Sequence, residues 1–197
     1  IAAQMLADNN LQKSTDTYER LSGVIYGETK RLRYQVEKVL QMSLYDGGNI
    51  ALKMQTLDAN ELIDSVVQTF NIKVAQNGGS IETNLDAVNS MVSVDEMHFT
   101  NIIFNLMDNA VKYKRDDVSL QLKVSTRSDS EHLYIQVEDN GIGIQKDDLK
   151  RVFDRFYRVH TGNTHNVKGF GLGLAYVHKM VKLHHGTIKA ASEYGRG

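Results

Sequence analysis

The stretch that decides the fold is DEMHFTNIIFNLMDNAVKYK, residues 95 to 114, in which apolar and polar residues recur with the period of a helix. At about 100° per residue, its apolar side chains fall in one arc and its amide and charged side chains in another. The apolar arc holds Phe99, Ile102, Ile103, Leu106, Ala110 and Tyr113. The polar arc holds Asn101, Asn105, Asp108, Asn109 and Lys112. The sequence therefore predicts a helix that packs on a core with one face and presents amides on the other.

The amides of this helix indicate a binding task. Asn is a poor helix former because its side chain competes for backbone hydrogen bonds, so several Asn on one stripe cost stability. Asn105, Asn109 and Lys112 are spaced by about one turn and converge on one ridge. Two amide oxygens and an ammonium suit a hard cation that carries phosphate oxygens, as in a complex of Mg²⁺ with a nucleotide. A solvated face that happens to use Asn is the alternative for this helix taken alone.

The composition excludes several classes of protein. The 197 residues suffice for one core and an accessory element. The 23 Lys and Arg against 24 Asp and Glu give a formal net charge of −1, and hence no general attraction to nucleic acid or anionic membranes. The chain has no Cys, which excludes disulfides and thiolate metal sites and fits a reducing compartment. No run of residues reaches the roughly 18–20 apolar residues of a transmembrane helix.

Residues 16 to 45 predict a long helix with a heptad seam. The seam recurs at alternating spacings of four and three residues and consists of Tyr18, Ser22, Ile25, Thr29, Leu32, Val36, Val39 and Ser43. A lone helix cannot bury such a seam, so it needs either a second chain or the short helix predicted at residues 1 to 7. We therefore interpret residues 1–56 as part of a helical hairpin and residues 57–197 as a second domain.

The second domain begins with a predicted capped helix and continues with short strands. Asp58 is placed to cap a helix that extends to about Ala75, and Glu61 completes a capping box. Residues 80–85 and 91–94 then predict strands on either side of a turn. After the Asn-rich helix, residues 118–124 and 133–137 alternate apolar and polar side chains, which predicts an antiparallel hairpin with one buried face.

Asp139 continues the inward row of the second hairpin strand. Leu133, Ile135 and Val137 face the core, and Asp139 shares their parity. A buried carboxylate is costly unless a donor reaches it, and the exocyclic amine of an adenine is such a donor. Gly141 and Gly143 follow, and they let the backbone turn sharply and approach a ligand. The alternative is a surface turn in which Asp139 caps the next helix.

The C-terminal quarter carries an aromatic and basic segment and a second glycine-rich loop. A short helix is predicted at residues 145–151, followed by VFDRFYR at 152–158 and by a polar run, 161–166, that we expect to belong to a mobile lid. KGFGLGL at 168–174 leads directly into a helix predicted at residues 175–183, and glycines that open a helix present free N–H groups to phosphate. Gly186 is the predicted cap, and residues 187–191 predict a last strand. No pattern among the seven His suits a metal.

Taken together, four motifs resemble the catalytic domain of sensor histidine kinases, members of the GHKL ATPase superfamily. NLMDNAVKY at 105–113 resembles the N-box, and EDNGIGI at 138–144 the first glycine box. VFDRFYR at 152–158 resembles the F-box, and GFGLGLA at 169–175 the second glycine box. Each motif alone is weak, but the order and spacing of all four are specific. The heptad helix resembles the second helix of the family's dimerisation and phosphoacceptor domain.

The resemblance implies an α+β fold, a two-layer sandwich with a mixed sheet under three helices, preceded by a helical hairpin fragment. It implies ATP and Mg²⁺ as cofactors, with Mg²⁺ held by Asn105 and Asn109. The implied cofactor-binding residues are Asn105, Asn109, Lys112, Tyr113, Asp139, Gly141, Gly143, Lys168, Gly169, Gly171, Leu172 and Gly173. The implied catalytic residues are Asn105, Lys112, Arg155 and Arg158, and the sequence does not choose which Arg meets the γ-phosphate.

The implied reaction transfers the γ-phosphoryl of ATP to a His, and from there to an Asp of a response regulator. The implied setting is a cytoplasmic, homodimeric part of a membrane-bound bacterial sensor, with no nucleic-acid partner and no membrane contact from this region. The family's acceptor His lies in an H-box on the first hairpin helix, whereas the first His here is His98. We therefore expect the H-box and the family's last strand to lie outside this chain, which should not phosphorylate itself.

Three alternatives belong to other classes. GHKL hydrolases of the gyrase, chaperone or mismatch-repair type resemble this chain but carry Glu where Asn105 stands, as the base that activates water. Ser-directed anti-sigma kinases resemble only the ATP domain and lack a long heptad helix such as that predicted at residues 16 to 45. A degenerate binding module would keep the fold without activity, whereas each motif here keeps its ligand-facing residues.

Overall fold

The computed structural model describes residues 17–18, 21–25, 28–29, 51–159 and 171–197. The chain divides into two compact units, Ile1–Ala51 and Leu52–Gly197. The described residues 17–18, 21–25 and 28–29 of the first unit are helical, as the heptad pattern predicts. The rest of that predicted helix and the short helix at residues 1 to 7 lie outside the described residues. The hairpin assignment for residues 1–56 therefore stays a prediction.

The second unit alternates strands and helices around two sheets. Its elements are β1 (Gln55–Asp58), α1 (Ala59–Gln76), β2 (Ser80–Leu85), β3 (Met91–Val94), α2 (Glu96–Lys112), β4 (Gln121–Ser128), β5 (Leu133–Asp139), α3 (Lys146–Leu149) and α4 (Gly173–Leu183). The order β2-β4-β5 forms a mixed sheet, in which β2 and β4 are parallel and β4 and β5 antiparallel. β1 and β3 form a separate antiparallel pair. The predicted α+β fold with a mixed sheet is confirmed, although the strands divide between two sheets.

Helix α1 begins at the predicted cap. The Asp58 carboxylate accepts hydrogen bonds from the N–H groups of Asn60 and Glu61, at 2.8 and 3.4 Å. These bonds satisfy donors that a helix start leaves open. The buried stripe of the helix recurs every three or four residues and consists of Ala59, Ile63, Val67, Phe70 and Val74. Burial of each larger side chain in this stripe contributes roughly 1.5–3 kcal/mol.

Helix α2 buries the predicted apolar arc but also one residue of the polar arc. Its buried apolar residues are Phe99, Ile102, Ile103, Met107, Ala110 and Val111. Asp108, expected on the polar side, is buried as well. It lies between α1 and α2, where it binds Lys73 of α1 and Lys112 one turn further along α2. Burial opposes ionisation of Asp108, but the hydrogen bonds from Lys112 and Lys73 outweigh burial and lower its pKa.

The start of α2 is fixed against the end of α4 by histidines. The Asp95 carboxylate caps α2 by accepting from the His98 N–H at 3.1 Å, and it also accepts from the Lys53 N–H at 2.8 Å. The Asp95 N–H donates to Nε2 of His184 at 3.0 Å, while Nδ1 of His184 lies 2.8 Å from the Met180 carbonyl. Because a carbonyl only accepts, this pattern assigns the proton of a neutral His184 to Nδ1.

A second contact between the same two helices is buried. Nδ1 of His98 lies 2.9 Å from the hydroxyl of Tyr176. Burial lowers the pKa of His98, and the neighbouring Asp95 carboxylate opposes that shift. The contacts at the two ends of α4 therefore hold it beside α2.

Several boundaries differ from the sequence prediction. β4 begins at Gln121 rather than 118 and continues to Ser128, because its pairing with β5 extends into the predicted loop. β1 was not predicted, since four residues show no periodicity and the strand exists through its pairing with β3. Within the described residues, 187–191 pair with no strand, so the predicted last strand is wrong. None of the described helices combines the length and the apolar character needed to cross a bilayer.

The end of α4 is also shifted from the prediction. The left-handed residue is His185, with φ 61°, rather than the predicted cap Gly186. The His185 N–H donates to the Lys182 carbonyl at 3.0 Å, and the Gly186 N–H donates to the Val181 carbonyl at 2.8 Å. This pair of bonds is a Schellman motif in which a side chain occupies the position that glycine favours.

Candidate functional site

A largely apolar cavity of about 210 Å³ lies between α2, the end of β5 and the start of α4. Its apolar lining includes Leu106, Val137, Ile142, Ile144, Val152 and Leu174. Its polar lining includes Asn109, Tyr113, Asp139, Tyr157 and Arg158. An apolar cleft with a few converging polar groups is the usual form of a small-molecule site.

Asp139 lines the cavity, but it is not the buried carboxylate that the sequence predicts. It is the last residue of β5 and is exposed, and Leu133, Ile135 and Val137 before it are only half-buried. One carboxylate oxygen accepts a hydrogen bond from the Gly141 N–H at 2.9 Å. The sequence argument that Asp139 is a buried carboxylate in need of a donor is therefore wrong, because Asp139 is exposed at the end of β5.

The first glycine loop is held tightly between the end of α2 and the C-terminal turn. The Ile142 N–H donates to the Tyr113 carbonyl at 3.0 Å, and the Gly195 N–H donates to the Ile142 carbonyl at 2.8 Å. A Cβ at position 141 would lie 2.6 Å from the Tyr113 carbonyl oxygen. Gly143 has φ 67°, and a side chain there would collide with the Glu193 carbonyl. The loop thus packs its two glycines closely against neighbouring backbone, while Ile142 and Ile144 line the cavity.

The amide oxygens of Asn105 and Asn109 face the start of α4. A Cβ built on Gly173, the first residue of α4, would lie 3.3 Å from Oδ1 of Asn105 and 4.0 Å from Oδ1 of Asn109. The Asn105 amide nitrogen donates to the Asn101 carbonyl at 2.7 Å, which leaves its oxygen for the site. Two neutral oxygens are hard ligands, so this donor set fits Mg²⁺ that is also held by phosphate oxygens.

Helix α4 opens toward these oxygens. It begins at Gly173 after the buried Leu172, whose side chain offers no capping group. Among the described residues no side chain caps this 11-residue helix, so its first N–H groups and its positive dipole end are placed to bind an anion. A phosphate bound here would lie beside the two Asn oxygens, so the site would hold a phosphate together with its cation.

The remaining predicted residues are distributed unequally around the cavity. Arg158 lines it, whereas Arg155 is exposed and is not part of its lining. Lys112 does not line it either, and its ammonium binds Asp108 at 2.5 Å. Gly171 lies at the base of α4 against the F-box backbone. Lys168, Gly169 and the run predicted to be a mobile lid lie outside the described residues.

Sequence reasoning missed the wall formed by the C-terminal residues. Ala190, Ala191 and Ser192 line the cavity although the sequence predicted a strand at 187–191. The Ser192 hydroxyl accepts from the Ile144 N–H at 2.8 Å and donates to the Gly197 carbonyl at 3.0 Å. Short side chains after a helix carry no periodic signal, so nothing in the sequence marks these residues as a wall.

Comparison with a family model connects this geometry to known proteins. Residues 94–197 match the model of the histidine kinase-, DNA gyrase B- and HSP90-like ATPases. The chain belongs to this ATPase family. The match begins at the end of β3 and includes α2, both glycine loops and α4, which together build the cavity. It also confirms the resemblance drawn from the four motifs.

Curated relatives of this chain are sensor proteins. The chain is 58% identical over 197 residues to the sensor protein RprX of Bacteroides fragilis, covering all of this chain and 38% of that protein. It is 32% identical over 185 residues to the sensor histidine kinase WalK of Bacillus subtilis, covering 94% of this chain and 30% of that protein. The chain therefore spans less than two fifths of the length of these relatives.

Solved structures that share the fold include a histidine kinase. Full-length ShkA in complex with AMPPNP has a TM-score of 0.80 at 21% identity, covering 95% of this chain and 38% of that one. The histidine kinase ThkA in complex with the response regulator protein TrrA has a TM-score of 0.67 at 19% identity, covering 90% and 48%. These likenesses show that the ATPase fold described above is the one found in histidine kinases.

Proposed function

We propose that this chain is the ATP-binding catalytic region of a two-component sensor histidine kinase. The observation that carries the proposal is the arrangement of the cavity's two ends. Asp139 and a glycine loop lie at one end. At the other end Asn109 lines the cavity, and its oxygen and that of Asn105, which is not part of the lining, face the open start of α4. The first arrangement suits a base, and the second suits phosphates with a cation. The nucleotide in the ShkA complex supports ATP as the ligand.

At the base end, the Asp139 carboxylate accepts a hydrogen bond from the exocyclic amine of adenine. Tyr113 and Val137 contact the adenine ring. At the phosphate end, Gly171, Leu172 and Gly173 direct backbone N–H groups to the phosphates. Asn105 and Asn109 would hold Mg²⁺, and the ion would supply positive charge to the phosphate oxygens. Arg158, which lines the cavity, is better placed than Arg155 for the γ-phosphate, and Lys112 takes that role only if its ammonium leaves Asp108.

The proposed reaction is an in-line phosphoryl transfer. A His ring nitrogen on the dimerisation domain of the whole protein attacks the γ-phosphorus, and the bond to the β,γ-bridging oxygen breaks to release ADP. The phosphoryl group then passes to an Asp of a response regulator, for which the ThkA complex with TrrA is the supporting precedent. The proposal also includes a homodimeric whole protein with this region in the cytoplasm.

Hydrolysis is the alternative reaction within the family. A hydrolase needs a base that activates water, and a Glu at position 105 would supply it. Asn105 has a neutral amide that takes no proton, and its nitrogen is already bound to the Asn101 carbonyl. Residue 105 therefore favours transfer to another nucleophile over transfer to water.

Calorimetry of nucleotide binding tests the proposal. The wild-type chain should bind ATP with Mg²⁺, and removal of Mg²⁺ should weaken that binding. Asn109→Ala should weaken it at least about tenfold, which corresponds to about 1.4 kcal/mol. Asn84→Ala, an amide loss on exposed β2, is the control and should bind as the wild type does. A wild-type chain that does not bind ATP would overturn the proposal, and an unchanged affinity of Asn109→Ala would remove that residue from the site.

The place of the acceptor is tested separately. Residues 1 to 97 contain no His, so the chain alone should bind ATP without labelling itself. Incubation with γ-labelled ATP, followed by acid and alkali treatment of the gel, measures this. Acid-labile and alkali-stable label on the isolated chain would show that the acceptor lies among its own seven His.

A further inference from the structure

Tyr157, at the end of the F-box, is bound by side chains outside the cavity. Its hydroxyl donates a hydrogen bond to the carboxylate of Asp148 in α3. The guanidinium carbon of Arg151 lies 4.2 Å from the centre of the Tyr157 ring, within cation–π range. The hydrogen bond to Asp148 raises the pKa of the Tyr157 phenol, so the phenol remains the proton donor at neutral pH. Both Tyr157 and Asp148 are half-buried.

The backbone around Tyr157 lies directly against Gly171. The Phe156 N–H donates to the Gly171 carbonyl at 3.1 Å, and Phe156 itself has φ 61°. The Tyr157 carbonyl occupies the space that a side chain at position 171 would need. Gly171 has φ 70° and is two residues before the first residue of α4. The position of Tyr157 therefore determines where α4 opens.

Tyr157 is also the neighbour of Arg158, the basic side chain in the cavity lining. A shift of the Tyr157 backbone would thus move two elements at once, Arg158 and the N–H groups at the start of α4. The start of α4 faces Asn105 and Asn109 at the phosphate end, and Arg158 lines the same cavity. The base end is formed by Asp139, Gly141 and Tyr113. Its hydrogen bonds join the first glycine loop to the end of α2 and to the C-terminal turn, and they do not include Tyr157.

We propose that Asp148, acting through Tyr157, is a positioning residue for the phosphate end of the nucleotide site. Asp148 does not line the cavity, so its effect on a ligand has to pass through Tyr157. The inference rests on the proposed function, because it needs a bound nucleotide whose base and phosphates occupy opposite ends. It adds a residue that lies outside the four motifs.

The proposal makes a prediction that a general structural role does not. Loss of the hydrogen bond should weaken binding of ATP about fivefold or more, the effect expected for one hydrogen bond. Adenosine has no phosphates, so its affinity should change less than about twofold. A general loosening of the domain would instead weaken both ligands alike.

The experiment measures Mg²⁺–ATP and adenosine binding to the wild type, Asp148→Ala, Tyr157→Phe and the double variant. The double variant should be no weaker than either single variant, because both changes remove the same bond. Asp148→Asn keeps an oxygen that accepts from the phenol and should restore most of the ATP affinity. Circular dichroism of each variant establishes that it is folded, and the conservative Tyr157→Phe and Asp148→Asn keep the test valid if Asp148→Ala does not fold.

The chain offers a matched control on β5. The Tyr134 hydroxyl donates to Asp129 at 2.8 Å, and the guanidinium carbon of Arg127 lies 4.0 Å from the centre of the Tyr134 ring. This is the same arrangement of three side chains, and Tyr134 does not line the cavity. Tyr134→Phe should therefore change neither affinity.

The outcomes separate this inference from the proposed function. If the wild type does not bind ATP, the proposed function is wrong. If the wild type binds ATP but the variants lose ATP and adenosine equally, or keep both, the positioning role of Asp148 is overturned alone. Additive losses in the double variant would likewise overturn it, because Asp148 would then act independently of Tyr157.

Discussion

At the scale of single residues, the two oxygens of the Asp139 carboxylate have different tasks. One is bound by the Gly141 N–H, which leaves the other for a donor in the cavity. In Asp139→Asn the amide oxygen would keep the bond to Gly141, so the amide nitrogen would meet the amine of adenine, donor against donor. We expect ATP to bind the variant about tenfold or more weakly, since an unmatched donor costs about 1–3 kcal/mol.

The same contact predicts base specificity. GTP carries a carbonyl where adenine carries its amine, so it should bind the wild type poorly. Competition between ATP and GTP for the wild-type chain measures the difference, and equal affinities would contradict the role of Asp139. Glu138→Gln, the same chemical change on an exposed neighbour, is the control and should leave both affinities unchanged.

His185 predicts a stabilising substitution at the same scale. Its φ of 61° is unfavourable for a residue with a Cβ, whereas glycine adopts it readily. We expect His185→Gly to raise the free energy of unfolding by about 0.5–1 kcal/mol, measured by urea denaturation. His185→Ala keeps the Cβ and should give no such gain. A similar gain for Ala would mean that loss of the imidazole, rather than relief of the backbone, stabilises the chain.

At the scale of secondary-structure elements, Asp108 joins α1 to α2 through Lys73 and Lys112. Its pKa is lower in the folded chain than in the unfolded one, so its contribution is present above the unfolded pKa of about 3.9 and disappears as the pH falls through the folded pKa. Asp108→Asn should therefore lower stability at pH 7 by about 1–2 kcal/mol. This is less than for a fully buried pair, because both lysines are partly exposed.

Thermal unfolding between pH 7 and pH 2.5 measures this contribution. The difference in melting temperature between wild type and Asp108→Asn should become smaller as the solution becomes acidic. Asp64→Asn on α1, which removes a carboxylate without a lysine partner in its hydrogen bonding, should give no such narrowing. A difference in melting temperature that stays constant with pH would show that the two lysines do not hold Asp108 ionised.

Elements with a strong local pattern could be predicted from the sequence, and elements that depend on partners could not. The cap of α1 at Asp58 and the strand at 80–85 follow from side chains close in sequence, and both are confirmed. β1 and the missing strand at 187–191 depend on whether another strand lies alongside, which a local pattern does not contain. Asp108 was misplaced for the same reason, since its partner Lys73 belongs to a different helix.

At the scale of the whole molecule, the motifs that line the site could be predicted from the sequence, but the wall formed by the C-terminal residues could not. The sequence indicated Asn109, Tyr113, Asp139 and Arg158, all of which line the cavity. It gave no sign that the C-terminal residues form a wall, because that wall depends on Ser192 reaching the first glycine loop. Whether the predicted residues bind nucleotide stays a prediction that the binding experiments address.

The parallel pairing of β2 with β4 has a consequence for folding kinetics. Ser80 pairs with Gln121, so the connection between the two strands contains β3 and the whole of α2. Closing so distant a pair costs chain entropy before the contacts form, which makes this the slow type of step. The rate-limiting barrier should therefore already include α2 on the sheet.

Two buried isoleucines allow the barrier to be examined. Ile103 on α2 and Ile63 on α1 are both almost fully buried, and Ile→Val at either position should cost about 0.5–1.5 kcal/mol. We expect Ile103→Val to lose that stability mainly through slower refolding, and Ile63→Val mainly through faster unfolding, in stopped-flow measurements. The opposite pattern would mean that α2 packs on the sheet only after the rate-limiting barrier. If α2 is early, the helix that carries Asn105 and Asn109 is in place in every molecule that has closed its sheet.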